Sequence, residues 1–268
     1  MPTTMRKVTF DDGAETTLER WGENGPAILC IHGMTSSRRS WRRLAEHLAS
    51  RFRIYAYDQR GHGDLASRTG PMTLAQCTAD AAAIAREIGE PIELLVGHSW
   101  GGAVALAAAE HIAARSVLAI DPMLAQLPAA WYDEFLDELT ELFSLDGEAR
   151  ANRIRDLYAS WHDLDTEGKV HAVASMSVAP IVGLRDENPA HTWDICERAL
   201  DYPLPLALVL PDAAESIIPR DCYDRLLRGA ASETIVTIVP EGDHNLHRTA
   251  FAPFVAALDR WLETRGLP

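Results

Sequence analysis

Residues 97–101, Gly97-His98-Ser99-Trp100-Gly101, lie between an apolar run at 92–96 and an alanine-rich run at 103–111. The first run reads as a buried strand and the second as a helix. Glycine two places before and two places after a serine permits a strand-to-helix turn too tight for larger side chains. The turn holds the serine in a strained backbone conformation and presents its hydroxyl at the open end of a sheet, beside the positive end of a helix. A glycine-rich junction packed closely for its own sake is the plainer explanation of the five residues. The strand before them and the helix after them favour the nucleophile.

The rest of the chain keeps the same rhythm. Residues 7–10 and 16–21 alternate about Asp11-Asp12-Gly13, a hairpin signal. Residues 26–31 are wholly apolar, as expected of a strand buried on both faces. Ser40 or a neighbour caps a helix over 41–49, and residues 52–57 form the next strand. Thr73 caps a long alanine-rich helix ending near Gly89, and residues 116–120 form another apolar strand, closed by Asp121-Pro122. From Met123 to about Tyr202 the alternation stops, and spans 131–143, 148–161, 167–176 and 190–200 read as amphipathic helices. It resumes with a strand at 204–210, a helix at 222–228, a strand at 234–239 and a helix at 251–264. The fold class is therefore α/β: a mostly parallel sheet of roughly eight strands with helices on both faces. Residues 1–122 and 203–268 make the core, and residues 123–202 a helical lid inserted after the sixth strand.

Composition limits the partners. A chain of 268 residues that is 47% hydrophobic can bury a large core, and a net charge of −14 argues against nucleic acid and gives no polybasic face for a membrane. Cys30, Cys77, Cys196 and Cys222 are scattered, so reduced buried thiols are expected rather than a disulfide framework or a zinc site. Residues 1–10 have no apolar core of a signal peptide and no run has spanning length, so a soluble cytoplasmic protein is expected. No cofactor and no metal is implied. The expected partner is a largely apolar small molecule; the sequence is silent on oligomeric state.

Ser99 needs a base, because a free hydroxyl is a weak nucleophile at neutral pH. His244 stands out among ten histidines because Glu241-Gly242-Asp243-His244-Asn245 follows the last strand, at the same sheet edge as Ser99. His247, three residues on, is expected to start the final helix; the two histidines without a third ligand make a weak metal motif. The backbone amides of Trp100 and of Met34, the latter after His32-Gly33, are the candidate oxyanion donors.

The order His32-Gly33, Asp58-x-Arg60-Gly61-His62-Gly63, Gly97-x-Ser99-x-Gly101-Gly102 and Gly242-Asp243-His244 resembles an α/β-hydrolase over nearly the whole chain. Serine at the elbow, rather than aspartate, points away from epoxide hydrolases and haloalkane dehalogenases. Asp64-Leu65 departs from the serine often found after that Gly-x-Gly. The resemblance implies a carboxylate to orient the base. In most of the superfamily it lies after the seventh strand, where Pro211 to Pro219 offers Glu215 in the usual slot and Asp212 beside it. Some members place it at the end of the sixth strand, which here is Asp121, pinned by Pro122. Asp121 is preferred, then Glu215, then Asp212.

Of the large lid side chains Trp131, Tyr132, Phe135, Phe143, Tyr158, Trp161, Met176 and Trp193, most should be core, with one or two facing a substrate. Asp133, Glu134, Asp137, Glu138 and Glu141 should lie mainly on a solvated face; one turned inward could grip an amine. The expected activity is hydrolysis of a small to medium carboxylic ester or lactone. Rivals are an aminopeptidase resembling proline iminopeptidases, suggested by Ser99-Trp100-Gly101-Gly102 and the acidic lid, a carbon–carbon bond hydrolase, and an inert ligand-binding receptor on the same fold.

Overall fold

A computed structural model describes residues 3–65, 70–174, 176–188 and 193–268. The strands are β1 (Thr3–Thr9), β2 (Glu15–Trp21), β3 (Ala27–Ile31), β4 (Arg53–Tyr57), β5 (Ile92–His98), β6 (Val117–Ile120), β7 (Leu206–Leu210) and β8 (Thr234–Ile238). They form one sheet in the order β1-β2-β4-β3-β5-β6-β7-β8. The β1–β2 hairpin is antiparallel and β2 pairs antiparallel with β4; every pairing from β4 to β8 is parallel. Every residue of β3, β6 and β7 is buried, the pattern of strands covered on both faces. β1 closes one edge with exposed Thr, Arg and Lys side chains, which blunt edge-to-edge pairing.

The helices are α1 (Arg42–Leu48), α2 (Leu74–Ile88), α3 (Trp100–Ala108), α4 (Ala129–Ser144), α5 (Gly147–Leu157), α6 (Asp163–Ala174), α7 (Ala179–Asp186), α8 (Cys196–Leu200), α9 (Arg220–Gly229), α10 (Leu246–Thr249) and α11 (Phe251–Thr264). Thr73 caps α2 by accepting from the Gln76 amide at 3.1 Å, and Gly89 ends it in the left-handed conformation. Alternate residues of β3 to β7 feed opposite cores. Ile28, Cys30, Leu94 and Val96 pack with Trp41 and Leu44 beside α1 and with Phe254, Leu258 and Trp261 of α11. Leu29, Ile31 and Leu95 pack with Ala81 and Ile84 of α2 and Val104 of α3.

Between β6 and β7 the described residues hold five helices, α4 to α8, and no strand. Tyr132, Leu139, Met176 and Trp193 from this block join the same buried cluster as the sheet, and only a small cluster of Leu142, Ile154 and Val173 is its own. The expected helix over 131–143 extends to Ala129–Ser144. α7 was not anticipated, because Pro180 and Gly183 mask its apolar face. Of the helix expected over 190–200, residues 190–192 lie outside the described residues, and α8 accounts for the last five.

Two expectations need correction. Cys196 and Cys222 are joined in a disulfide, with Cα atoms 6.1 Å apart, linking α8 to α9. Their separation of 26 residues matches no framework spacing; only the packing of α8 against α9 brings them together. Cys30 and Cys77 are buried free thiols, as expected. His247 sits in α10, one turn before the final helix rather than at its start.

Candidate active site

β5 runs straight into α3 through Ser99, whose backbone has φ 56° and ψ −124°. The turn is this sharp because its glycines leave room for bare backbone. A Cβ on Gly97 would lie 2.2 Å from the Gly101 carbonyl oxygen, and one on Gly101 would lie 2.2 Å from the Ile31 oxygen. Helix α3 therefore begins at Trp100, three residues earlier than the apolar pattern indicates. The Trp100 amide is the first of the helix, so no earlier carbonyl within α3 can accept from it. Ser99 itself is only 5% exposed.

Neighbouring strands fix what surrounds that serine. The Ser99 amide donates to the Ile120 carbonyl at 3.0 Å, and the Met123 amide donates back to the Ser99 carbonyl at 3.0 Å. Asp121 is thus held one residue beyond a direct backbone contact with Ser99. It too is left-handed, at φ 36°, and fully buried. Its carboxylate accepts from Ser216 Oγ at 2.5 Å, from the Ile217 amide at 3.2 Å, and meets His244 Nδ1 at 2.6 Å. A carboxylate in that position fixes the tautomer: Nδ1 carries the hydrogen and Nε2 keeps its lone pair. Asp212 and Glu215 are exposed, and neither bonds to His244. Their loop instead supplies Ser216 and Ile217, which brace Asp121 from behind.

His244 is held at its backbone as well. His98 Nε2 donates to the His244 carbonyl at 2.8 Å, and the two rings lie 4.8 Å apart. The His247 ring lies 4.3 Å from that of His98, tilted by 47°. Burial pushes both His98 and His247 well below the ordinary imidazole range, so they stay neutral and add no charge beside His244.

The turn after β3 runs along Ser99. A Cβ on Gly33 would meet the Ser99 Cβ at 2.9 Å, so no larger residue fits. Met34 follows, then Thr35, another left-handed residue at φ 54°. Two buried histidines set this loop. His32 Nδ1 donates to the Gly33 oxygen at 2.8 Å while its Nε2 accepts from the Gln59 amide at 3.0 Å. His62 Nδ1 donates to the Arg60 oxygen at 2.7 Å, and its Nε2 accepts from the Thr35 amide at 3.2 Å. Burial lowers their pKa values to about 4 and about 3, which keeps each accepting nitrogen unprotonated. The Asp58-x-Arg60-Gly61-His62-Gly63 stretch is therefore a brace. Asp58 accepts from the Arg38 and Asp64 amides at 2.8 and 3.0 Å, and Arg60 forks onto Asp80 at 2.5 and 2.7 Å. Ligand atoms of Asp58, Asp64 and His171 lie within 4.8 Å of one another. The Arg38 guanidinium lies against both carboxylates, already supplying the charge a cation would bring.

Beyond Thr35 a cavity of about 380 Å³ opens under α4, α5 and α6. Phe135 and Tyr158 are the aromatics lining it, with Leu139, Ile154 and Val173. Glu138 and Glu141 stand at its exposed rim. The other lid aromatics pack elsewhere, Tyr132 and Trp193 in the main core and Trp161 against Arg248. Lys169 reaches the cavity floor and donates to Thr35 Oγ1 at 2.6 Å and to the Thr35 carbonyl at 3.0 Å. His98 was findable as the variable residue of the elbow. Ser216 and Lys169 carried no local signal, since each acts through a contact made across the chain.

A family model described as the alpha/beta hydrolase family matches residues 28–257. The chain belongs to the alpha/beta hydrolase family. This alpha/beta hydrolase is 36% identical over 197 residues to the lipase LipV of Mycobacterium tuberculosis, covering 70% of this chain and 73% of that protein. It is 26% identical over 258 residues to an N-formylmaleamate deformylase of Pseudomonas putida, 91% of each. Among solved structures, an E-2-(acetamidomethylene)succinate hydrolase superposes with a TM-score of 0.76 at 21% identity, covering 98% of this chain and all of that one, a likeness of fold.

Proposed function

We propose that this alpha/beta hydrolase cleaves small to medium carboxylic esters or lactones, with Ser99 as nucleophile, His244 as general base and Asp121 as its orienting carboxylate. The observation that carries this is the 2.6 Å contact of His244 Nδ1 with Asp121, the residue after Ile120, whose carbonyl accepts from the amide of a serine held at φ 56°. His244 Nε2 takes the Ser99 proton as Oγ attacks the ester carbonyl. The Met34 and Trp100 amides receive the developing oxyanion, worth about 3 kcal/mol for each well-aimed donor. The imidazolium then protonates the leaving alcohol, and the acyl group stays on Ser99. Water, deprotonated by His244, attacks that acyl-enzyme and releases the carboxylic acid, restoring the serine. Asp121 stabilises the imidazolium in both halves.

Helices α4 to α8 act as the lid over this site, and the substrate's apolar portion packs on Phe135, Leu139 and Tyr158. The names of similar proteins, a lipase and a deformylase, agree with acyl transfer. The Lys169 ammonium on the cavity floor disfavours an aminoacyl substrate, whose own ammonium it would repel.

The test is labelling with a fluorophosphonate, followed by peptide mapping and 4-nitrophenyl hexanoate turnover. One equivalent bound at Ser99, with turnover lost in Ser99→Ala, is expected. Undiminished cleavage by Ser99→Ala would refute the assignment.

A further inference from the structure

Lys169 is the feature of the cavity that apolar ester hydrolysis leaves unused. Its ammonium reaches two acceptors, both on Thr35, and has no carboxylate partner within ion-pair distance among the described residues. Arg248 stands nearby with the same deficit. Its guanidinium donates to Asn245 Oδ1 and Ser36 Oγ, each at 2.9 Å, lies over Trp161, and leaves Nε without a partner. Asp165 of α6 attracts Arg248 from a distance, but its carboxylate is engaged by Arg43 at 3.0 Å. Glu138 and Glu141 are at the solvent rim, opposite an equally exposed Arg153. In a chain of net charge −14, a buried Arg248 and a partly buried Lys169 thus lie near enough to feel each other's charge, and neither has a carboxylate within ion-pair distance among the described residues. Burial and the Arg248 charge together push the Lys169 pKa down to about 7, and a carboxylate bound beside it would raise it again.

We propose that Lys169 is the specificity-determining residue of the cavity and that the preferred substrates are esters whose acyl chain ends in a carboxylate, bound by its ammonium. The placement suits the acyl side. The acyl part stays bonded to Ser99 through both steps while the alcohol leaves after the first. The ammonium is one hydrogen bond from Thr35, the residue after Met34, so it lies within roughly 10 Å of the Met34 amide by bond lengths alone. An acyl chain of about four methylenes spans that distance with its walls on Phe135, Leu139 and Val173. The apolar lining holds the chain, and the cation selects its end.

The inference rests on Ser99 as nucleophile, and the experiment separates the two. Mono-4-nitrophenyl adipate and 4-nitrophenyl hexanoate differ in a terminal carboxylate against a methyl. In Lys169→Met the adipate-to-hexanoate ratio of kcat/KM should fall about 10- to 100-fold, mostly through KM, and Lys169→Arg should restore much of it. Lys169→Gln repeats the measurement if the methionine variant does not fold. If Lys169 only clamps Thr35, both esters lose equally and the ratio stays put, which overturns the proposal. Should the wild-type protein cleave neither ester, the Ser99 assignment falls, and adipate titrated calorimetrically into Ser99→Ala decides the rest. Binding weakened about tenfold by adding Lys169→Met supports the anion site. Binding that is absent, or indifferent to Lys169, overturns it.

Discussion

Asp121→Asn is the sharpest perturbation of the site. The carboxylate faces three donors: His244 Nδ1 at 2.6 Å and the Ile217 amide at 3.2 Å on one oxygen, and the Ser216 hydroxyl at 2.5 Å on the other. An asparagine must offer one of those sides an NH2 group. Turned toward His244, the NH2 meets two donors, and only the opposite imidazole tautomer relieves the clash; Nε2 then carries the hydrogen and cannot take the serine proton. Turned the other way, it meets Ser216 Oγ, a hydroxyl that can rotate to accept. The second arrangement keeps the working tautomer and loses only the charge that stabilises the imidazolium. Losing that buried charge pair costs about 3–5 kcal/mol, so kcat should fall about 10²- to 10⁴-fold. The assay is 4-nitrophenyl hexanoate hydrolysis under saturating substrate, beside Glu215→Gln and Asp212→Asn. Those exposed residues should alter kcat less than about threefold, consistent with surface substitutions. Asp121→Asn keeping more than a tenth of wild-type kcat, or Glu215→Gln losing as much, would refute the assignment of the acid.

Acid should weaken the fold through the histidines that set the loop beside Ser99. His32 and His62 have pKa values lowered to about 4 and about 3 from 6.5, so their contribution is complete above pH 6.5 and drains away as pH falls through the folded values. For His32 alone the gap corresponds to about 3 kcal/mol, and urea unfolding at pH 4.5 should give at least about 2 kcal/mol less stability than at pH 7.5. A flat profile over that range would contradict it. Reducing the Cys196–Cys222 bond, which closes a separation of 26 residues, should cost about 3 kcal/mol and lower Tm by about 5–10 °C. Cys196→Ser/Cys222→Ser should match the reduced protein; a Tm unmoved by dithiothreitol would show the bond contributes nothing.

What the sequence makes legible here is whatever depends on neighbours along the chain. The elbow glycines, the apolar strands and the Thr73 cap each act within a few residues, and each has a pattern to read. The loop with His244 could be placed because it follows the last strand. The carboxylate was harder, since Asp121, Asp212 and Glu215 all sit near the ends of strands that pair side by side. Only geometry separates them: Asp121 is fully buried, and the other two face solvent. The disulfide, the Ser216 support and Lys169 depend on contacts between segments 26, 95 and 134 residues apart, where no local periodicity carries information.

The proposed nucleophile is anchored by its backbone. Ser99 is tied to Ile120 and Met123 through main-chain amides and carbonyls, and Asp121 in turn to Val209 of the next strand, so side-chain identity hardly enters. The reacting groups inherit their spacing from strand registry in the floor of the molecule. Helices α4 to α8 can then be rewritten to admit differently shaped or charged molecules while the proposed reacting groups keep their alignment.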